Sequence, residues 1–451
     1  MKRGSWSSKL GFIFAAAGSA VGLANIWRFP YVVGANGGAL FVLVYLFCLF
    51  LIGFPIFLAE TLIGRTTQKS PSGAFYALSG SNIWGFFGKM TIITGFIVSC
   101  FYSAMAAWIL GYLIEALQGK LANFSSAGEI AHFHDSLIGS PLWTGGFHLF
   151  FQGICFFVLI SGVRGGIERC NKIVMPLLYL VLITLVVQGL SLPGSWEGVK
   201  FVFEPDFAEV TPLMFLVAMG QAFFTLSLGQ GTMVTYGSYL SKKEDLFTSC
   251  LPVALMDTLV SLLSAVAVFT IAFSAGIEPD GGESLLFQTL PLVFSKIAGG
   301  HLTAVLFFLL VFFAALTSEI SAMEPSIAYL VDRFKWRRSV AATLVTAAVF
   351  LCGLPFAFSS NILSDAHLWG MNLLELIAFI CSSILIPIGG FLAVVLVGWK
   401  WGISKAWTQF SEGLSPRLVS SPLVKTYFSI CIRWIAPALI GLVFLNALGV
   451  V

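Results

Sequence analysis

The sequence predicts an all-α polytopic membrane protein of about eleven transmembrane helices, arranged as a 5+5 inverted repeat with broken helices 1 and 6 plus one extra C-terminal helix. Three observations predict it. Apolar runs long enough to cross a bilayer, which takes about 20 residues, recur along the whole 451-residue chain. The composition is 58% hydrophobic and 10% charged, with a mean hydropathy of +0.94; soluble chains carry about 25% charged residues. The first and sixth apolar segments are interrupted by glycines and polar residues in matching positions.

Spans are expected at 10–34, 39–66, 87–117, 145–163, 167–190, 211–239, 246–275, 302–331, 338–357, 371–398 and 426–449. They form one domain over 1–451, with a first repeat at 10–190, a second at 211–398 and the extra helix at 426–449. The long connections 118–144 and 276–301 fall outside by this count. No cleavable signal peptide is evident, because more spans follow the first apolar segment at once. Eighteen of the 24 Lys and Arg lie on the side of the N-terminus, against Lys120, Lys200 and Lys296 on the other, with Arg28, Lys89 and Arg433 inside spans. This bias places the N-terminus in the cytoplasm, and an odd number of spans places the C-terminus outside. The eight cysteines are scattered and read as buried small hydrophobes. The net charge of +3 says little about partners.

The first interruption reads GSAVGLANIWRFPYVVGANGG, residues 18 to 38, and the second reads FFTLSLGQG, with Gly229 and Gly231. Breaking a helix in hydrocarbon frees N–H and C=O groups that each cost several kcal/mol unless the break lines a cavity or binds something. Freed carbonyls suit a hard cation, and the positive end of a half-helix suits a carboxylate. Glycine-interrupted helices at matching positions of two halves therefore point to a transporter with its binding site at the breaks.

GSAVGLANIWRFPY, then GQAFFTLSLGQG with YGSY, then FFAALTSEIS, in that order, resemble the neurotransmitter:sodium symporter family. The resemblance covers nearly the whole chain and is closest to the bacterial eleven-span branch that takes up hydrophobic amino acids, with a leucine-transporter-type fold. It implies Na⁺ at two sites. The first would use Ala20, Asn25, Thr225, Asp257 and the substrate carboxylate. The second would use Gly18, Val21, Ala314, Thr317 and Ser318. Neutral oxygen ligands suit a monovalent hard ion, whereas divalent ions attract several carboxylates.

The substrate pocket implied by the resemblance comprises Ser19, Ala20, Gly22, Leu23, Ala24, Val98, Tyr102, Phe224, Thr225, Ser227, Gln230, Ser318 and Ala322. Tyr102 would hydrogen-bond the substrate carboxylate and Phe224 would form a thin lid. Monoamine carriers have an aspartate where this chain has Gly22, which points to an α-amino acid bringing its own carboxylate. The apolar lining favours a hydrophobic side chain. Ala322 gives room for a large or aromatic one, while Gln230 and Ala24 cut the other way.

Asp257 departs from the asparagine usual in the family. The other chloride-pocket positions are present as Tyr45, Gln221 and Ser261, but two negative charges in low dielectric repel by several kcal/mol. The expectation is chloride-independent transport. Asp257 either stays ionised or cycles a proton against sodium, or it is a protonated hydrogen-bonding substitute.

The gates implied by the resemblance are Arg28 with Glu375 outside, and Arg3, Trp6, Tyr239 and Asp332 inside. Ala378 occupies the position of the usual acidic partner, and Asp365 is another candidate for Arg28. Glu60 matches a glutamate that braces the broken first helix, and Glu319 is unexpected beside Thr317 and Ser318. Gly166 and Pro176 resemble a pair that lets the fifth span unwind and admit water. HFHD, at 132–135, reads as a solvated loop and not a metal pair.

The expected function is sodium-coupled import of hydrophobic L-amino acids by alternating access across the cell (inner) membrane. A proton-coupled carrier of the same fold, a channel or a non-transporting amino acid sensor are the rivals. No G-x-x-x-x-G-K-[ST] phosphate loop indicates an ATP-driven pump, and no nucleophile–base cluster indicates an enzyme. The expected partners are the amino acid, sodium and membrane lipid, with no nucleic acid, for a monomer or weak dimer.

Overall fold

The computed structural model describes residues 4–207, 210–276 and 285–447. Among the described residues nine helices are long and apolar enough to cross a membrane: Ala39–Thr67, Asn82–Leu117, Pro141–Ile160, Val163–Leu190, Leu246–Ser274, Gly300–Phe334, Arg338–Ala357, Leu373–Lys400 and Pro422–Asn446. Lys9–Ala20 and Ala24–Ala35 make a tenth crossing, bent by 55°. The remaining expected span is the pair Pro212–Thr225 and Thr232–Gly237, each too short to cross alone. The only strands among the described residues are His367–Leu368 and Met371–Asn372, paired antiparallel with His367 opposite Asn372.

Two layers are distinguished by burial. In the most apolar stretch of the second, third and seventh spans 72% of residues are buried, against 28% in the last span. The broken spans lie within this core: Phe12, Ala15, Ala16, Ala17 and Val21 are wholly inaccessible. Glycines allow close approach where the second span meets the sixth. A Cβ on Gly64 would lie 2.0 Å from the Val234 carbonyl oxygen, and one on Gly237 would lie 2.4 Å from that of Thr61. Small residues let membrane helices pack backbone to backbone in this way.

Each broken span has a local cause. The Ser8 side chain accepts from Gly11 N–H and starts the first half-helix, and Thr211 does the same for Met214 in the sixth. The first break comes at Val21, extended at φ −69° and ψ 106°. The sixth passes through Ser227, Gly229 and Gly231 at φ +52°, +75° and +77°. A Cβ on Gly229 would meet the Ile386 carbonyl oxygen at 2.0 Å, so only glycine fits both the conformation and the space.

Three readings from the sequence are corrected. Glu60 accepts from Gly229 N–H at 2.7 Å, so it braces the broken sixth span. HFHD lies on a helix, Ala127–Ile138, and His134 of that motif packs on Phe287 with ring centroids 5.6 Å apart. The third span starts at Asn82, earlier than the predicted residue 87.

Candidate functional site

The two breaks face one another across a small cavity of about 50 Å³. Ser19, Ala20, Gly22, Leu23 and Ala24 come from the first break, and Phe224, Ser227, Leu228 and Gln230 from the sixth. Val98 and Tyr102 of the third span, Ser318 and Ala322 of the eighth and Ile386 of the tenth complete the wall. Thr225 alone of the expected pocket residues is not in this lining. Its hydroxyl turns instead to Asp257. Leu23 N–H donates to the Tyr102 hydroxyl at 3.4 Å, which holds that hydroxyl at the break. A Cβ on Gly22 would lie 2.6 Å from Ser318 Oγ and 3.2 Å from the Tyr102 hydroxyl, so the site has no room for a side chain there.

On one side of the cavity oxygens converge on Asn25. Its Nδ2 donates to Asp257 Oδ1 at 2.7 Å, to Thr225 Oγ1 and Ser261 Oγ at 2.9 Å, and to the Asp257 carbonyl at 3.3 Å. Its Oδ1 accepts from Gly22 N–H at 2.9 Å. Thr225 Oγ1 lies 3.0 Å from both carboxylate oxygens of Asp257. The Tyr45 hydroxyl is buried beside Asp257, Thr225 and Ser261. Gln221 turns away, donating to the Ala24 carbonyl at 3.0 Å. Asn25, Thr225 and Asp257 are thus brought together with Ser261 and Tyr45, two of the three chloride-pocket positions.

A second group of oxygens lies between the first and eighth spans. Ser318 Oγ donates to the carbonyls of Val21 at 3.1 Å and Ser19 at 3.2 Å. Thr317 Oγ1 lies 3.2 Å from the Ala314 carbonyl, and Gly18 packs against Thr317. All five residues expected here meet in one place. Uncharged oxygens of this kind can hold a monovalent cation without a counter-charge.

Beyond Phe224 lies a larger cavity, about 330 Å³, lined among others by Arg28, Phe379, Ser382 and Ser383. Phe224 and Ile386 line both cavities and form the partition between them. The Arg28 guanidinium lies 5.3 Å from the Phe224 ring centroid, a cation–π distance, and donates to Gln221 Oε1 at 3.2 Å. Glu375 does not pair with Arg28. It closes a capping box with Asn372 at the start of the tenth span, with both bonds at 2.9 Å, and its own helix end satisfies it.

The opposite side, beside the N-terminal segment, is plugged. Trp6 Nε1–H donates to the Tyr236 carbonyl at 3.0 Å, and Trp6 N–H to that of Tyr239 at 3.2 Å. The Tyr239 hydroxyl donates to Glu324 Oε1 at 2.6 Å, and Arg338 grips both oxygens of Glu324 at 2.7 Å. Asp332 accepts from Ser70 N–H at 2.8 Å. Arg3 lies outside the described residues. The pocket thus lies between the Trp6 contacts and the Phe224 partition.

A polytopic bundle whose two broken helices meet at a central pocket defines a membrane transporter. The family model described as the sodium:neurotransmitter symporter family matches residues 3–132 and 139–450. The chain belongs to that family, and sodium-coupled transport is its work. It is 37% identical over 445 residues to the sodium-dependent transporter YhdH of Bacillus subtilis, covering 99% of this chain and 98% of the relative. A sodium-dependent transporter of Haemophilus influenzae is 32% identical over 457 residues, covering 99% and 98%. The crystal structure of MhsT in complex with L-phenylalanine matches with a TM-score of 0.88 at 39% identity, covering 99% of this chain and 100% of the other.

Sequence reasoning missed Leu228 and Ile386 in the pocket wall and Glu324 with Arg338 at the inner plug. Leu228 stands within the quoted FFTLSLGQG and could have been included. Glu324 and Arg338 carried a signal, since charged residues within or beside spans are expensive and usually partnered. Ile386 carried none, because one isoleucine in an apolar helix resembles every other.

Proposed function

We propose that this protein imports hydrophobic L-amino acids, with room for large or aromatic side chains, by sodium-coupled symport that needs no chloride. The convergence of Asn25, Thr225 and Asp257 beside the pocket is the observation that carries the reading. Sodium at these oxygens would be completed by the carboxylate of the amino acid, whose place the Tyr102 hydroxyl and the breaks' backbone groups define. The tight fit around Gly22 supports a substrate that supplies its own carboxylate, since no acidic side chain can enter there. The second ion would lie among the carbonyls of Gly18, Val21 and Ala314 and the hydroxyls of Thr317 and Ser318.

Apolar Leu23, Val98, Phe224 and Ala322 in the lining support a hydrophobic side chain. The L-phenylalanine named in the MhsT structure supports an aromatic one. The Asp257 carboxylate already supplies the negative charge that a bound chloride would bring, and a second anion beside it is repelled by several kcal/mol.

Each ion and the amino acid raise one another's affinity, a coupling that is reciprocal by thermodynamic necessity. The units 10–190 and 211–398 rock against each other, opening first the partition of Phe224 and Arg28, then the Trp6 plug. Each sodium charge moved inward gains about 2.3 kcal/mol per 100 mV of membrane potential, besides its concentration gradient. The Lys and Arg bias supports a cytoplasmic N-terminus and an outer C-terminus in the cell (inner) membrane.

The test is uptake of a panel of labelled amino acids into proteoliposomes, with sodium or choline outside and chloride or gluconate as anion. Uphill uptake of phenylalanine or leucine with sodium in either anion supports the reading. Equal uptake in choline refutes the coupling, and loss of uptake in gluconate refutes chloride independence.

A further inference from the structure

We infer that Asn171 of the fifth span supplies one more side-chain oxygen to the second sodium site, on the side from which the ion leaves for the cytoplasm. This rests on the sodium-coupled reading above. Asn171 is wholly buried. Its Nδ2 donates to the Ile167 carbonyl at 2.9 Å, which fixes which end of the amide faces which way. Its Oδ1 then has no hydrogen-bond partner among the described residues. A buried acceptor left alone costs about 1–3 kcal/mol, a cost that a partner at that spot would remove.

The orphan oxygen abuts a residue of the proposed second site. A Cβ on Gly18 would lie 1.8 Å from Asn171 Oδ1 and 3.3 Å from Thr317 Cβ. Gly18 is therefore wedged between Asn171 and Thr317, and both Gly18 and Thr317 belong to the proposed ligand set. An amide oxygen is chemically equivalent to the peptide carbonyls there, a neutral hard donor suited to a monovalent ion. Lys172 offers no competing partner, since its Nζ is held by Glu168 Oε1 at 2.6 Å and Ser7 Oγ at 3.2 Å.

The placement also gives the oxygen a part in release. Three residues before Asn171, Glu168 accepts from Ser7 N–H at 2.8 Å, beside the Trp6 plug. Asn171 thus stands between the plug and the ion site. Its stretch of helix follows a wide turn at Val163–Glu168 and precedes Pro176, which removes a backbone hydrogen bond. A segment weakened at both ends can move outward while its amide oxygen follows the ion.

The experiment is equilibrium ²²Na⁺ binding to the purified full-length protein without amino acid, for the parent, Asn171→Leu, Asn171→Asp and Thr317→Ala. Asn171→Leu is expected to raise the half-saturating sodium concentration about fivefold. Asn171→Asp, which keeps the oxygen and adds charge, is expected to lower it, a change that a merely space-filling residue would not produce. If both variants bind within about twofold of the parent while Thr317→Ala is impaired, the role of Asn171 is refuted and the site stands. If Thr317→Ala is also unchanged, the second site is refuted and the inference falls with it. Should Asn171→Leu not fold, as judged by size-exclusion elution, Asn171→Asp decides the question.

Discussion

Asp257 Oδ1 lies 2.7 Å from Asn25 Nδ2 and 3.0 Å from Thr225 Oγ1, so one carboxylate of the seventh span touches both broken helices at once. In the chloride-independent cycle proposed above, an acid in this position balances a sodium ion and takes the charge that chloride would otherwise bring. Asp257→Asn keeps the shape and removes the charge. It is expected to make uptake depend on chloride, with gluconate lowering the rate about tenfold or more. Uptake of this variant that is indifferent to the anion would contradict the role given to Asp257.

The inner plug depends on a buried pair. Arg338 holds both oxygens of Glu324 at 2.7 Å, and the Tyr239 hydroxyl donates to the same acid. Glu324 is buried while Arg338 is a quarter exposed, so removing the acid's charge leaves the arginine partly hydrated but takes away the anchor that holds Tyr239 and Arg338 together. Glu324→Gln is therefore expected to favour the state open to the cytoplasm. Hydrogen exchange of peptides covering Lys9–Ala20 should accelerate, with little change in peptides from Pro422–Asn446. Equal protection in the variant and the parent would show that the pair does not hold the plug.

The pocket's shape depends on two glycines. Gly22→Ala would drive a methyl group toward Ser318 Oγ and the Tyr102 hydroxyl. It is expected to weaken amino acid binding about fivefold or more at a given sodium concentration, since overpacking costs about 1–3 kcal/mol. Gly229→Ala adds a left-handed backbone strain to a contact with the Ile386 carbonyl. That variant is expected to lower the melting temperature more than Gly22→Ala, whose methyl group meets side-chain ends and not backbone.

On the outer side His134 is partly buried, with Nδ1 2.8 Å from the Tyr112 hydroxyl. Burial pushes the imidazole below its ordinary value of 6.5, while the neighbouring Asp135 works in the opposite direction. The folded protein thus binds this proton less readily than the unfolded chain, and stability rises with pH across this window. The contribution is complete above 6.5 and is lost as pH falls toward the depressed value. His134→Gln should flatten the drop in melting temperature between neutral and mildly acidic buffer. An unchanged drop would place its cause elsewhere.

Much of this was legible in the residues, for identifiable reasons. Long apolar runs have one solution in lipid, so the spans could be read from composition and length. The breaks were legible because Gly229 and Gly231 are costly inside a helix unless they are needed there. Ser318 could be assigned to the cavity because it sits within the recognisable FFAALTSEIS, and Tyr102 and Ala322 through the family resemblance. Pairing was less legible. The sequence offers Glu375 to Arg28, but Asn372 three residues earlier makes a helix cap that takes the acid first. The sixth-span brace by Glu60 and the orphan oxygen of Asn171 depend on how helices rotate against one another, which sequence periodicity does not resolve.

Reciprocal coupling gives the most direct measurement. In proteoliposomes with equal sodium on both sides, an inward gradient of a transported amino acid should drive ²²Na⁺ inward above its equilibrium level, and Thr317→Ala should abolish the effect. Sodium flux that ignores the amino acid gradient would contradict the claim that the two broken helices bind both together.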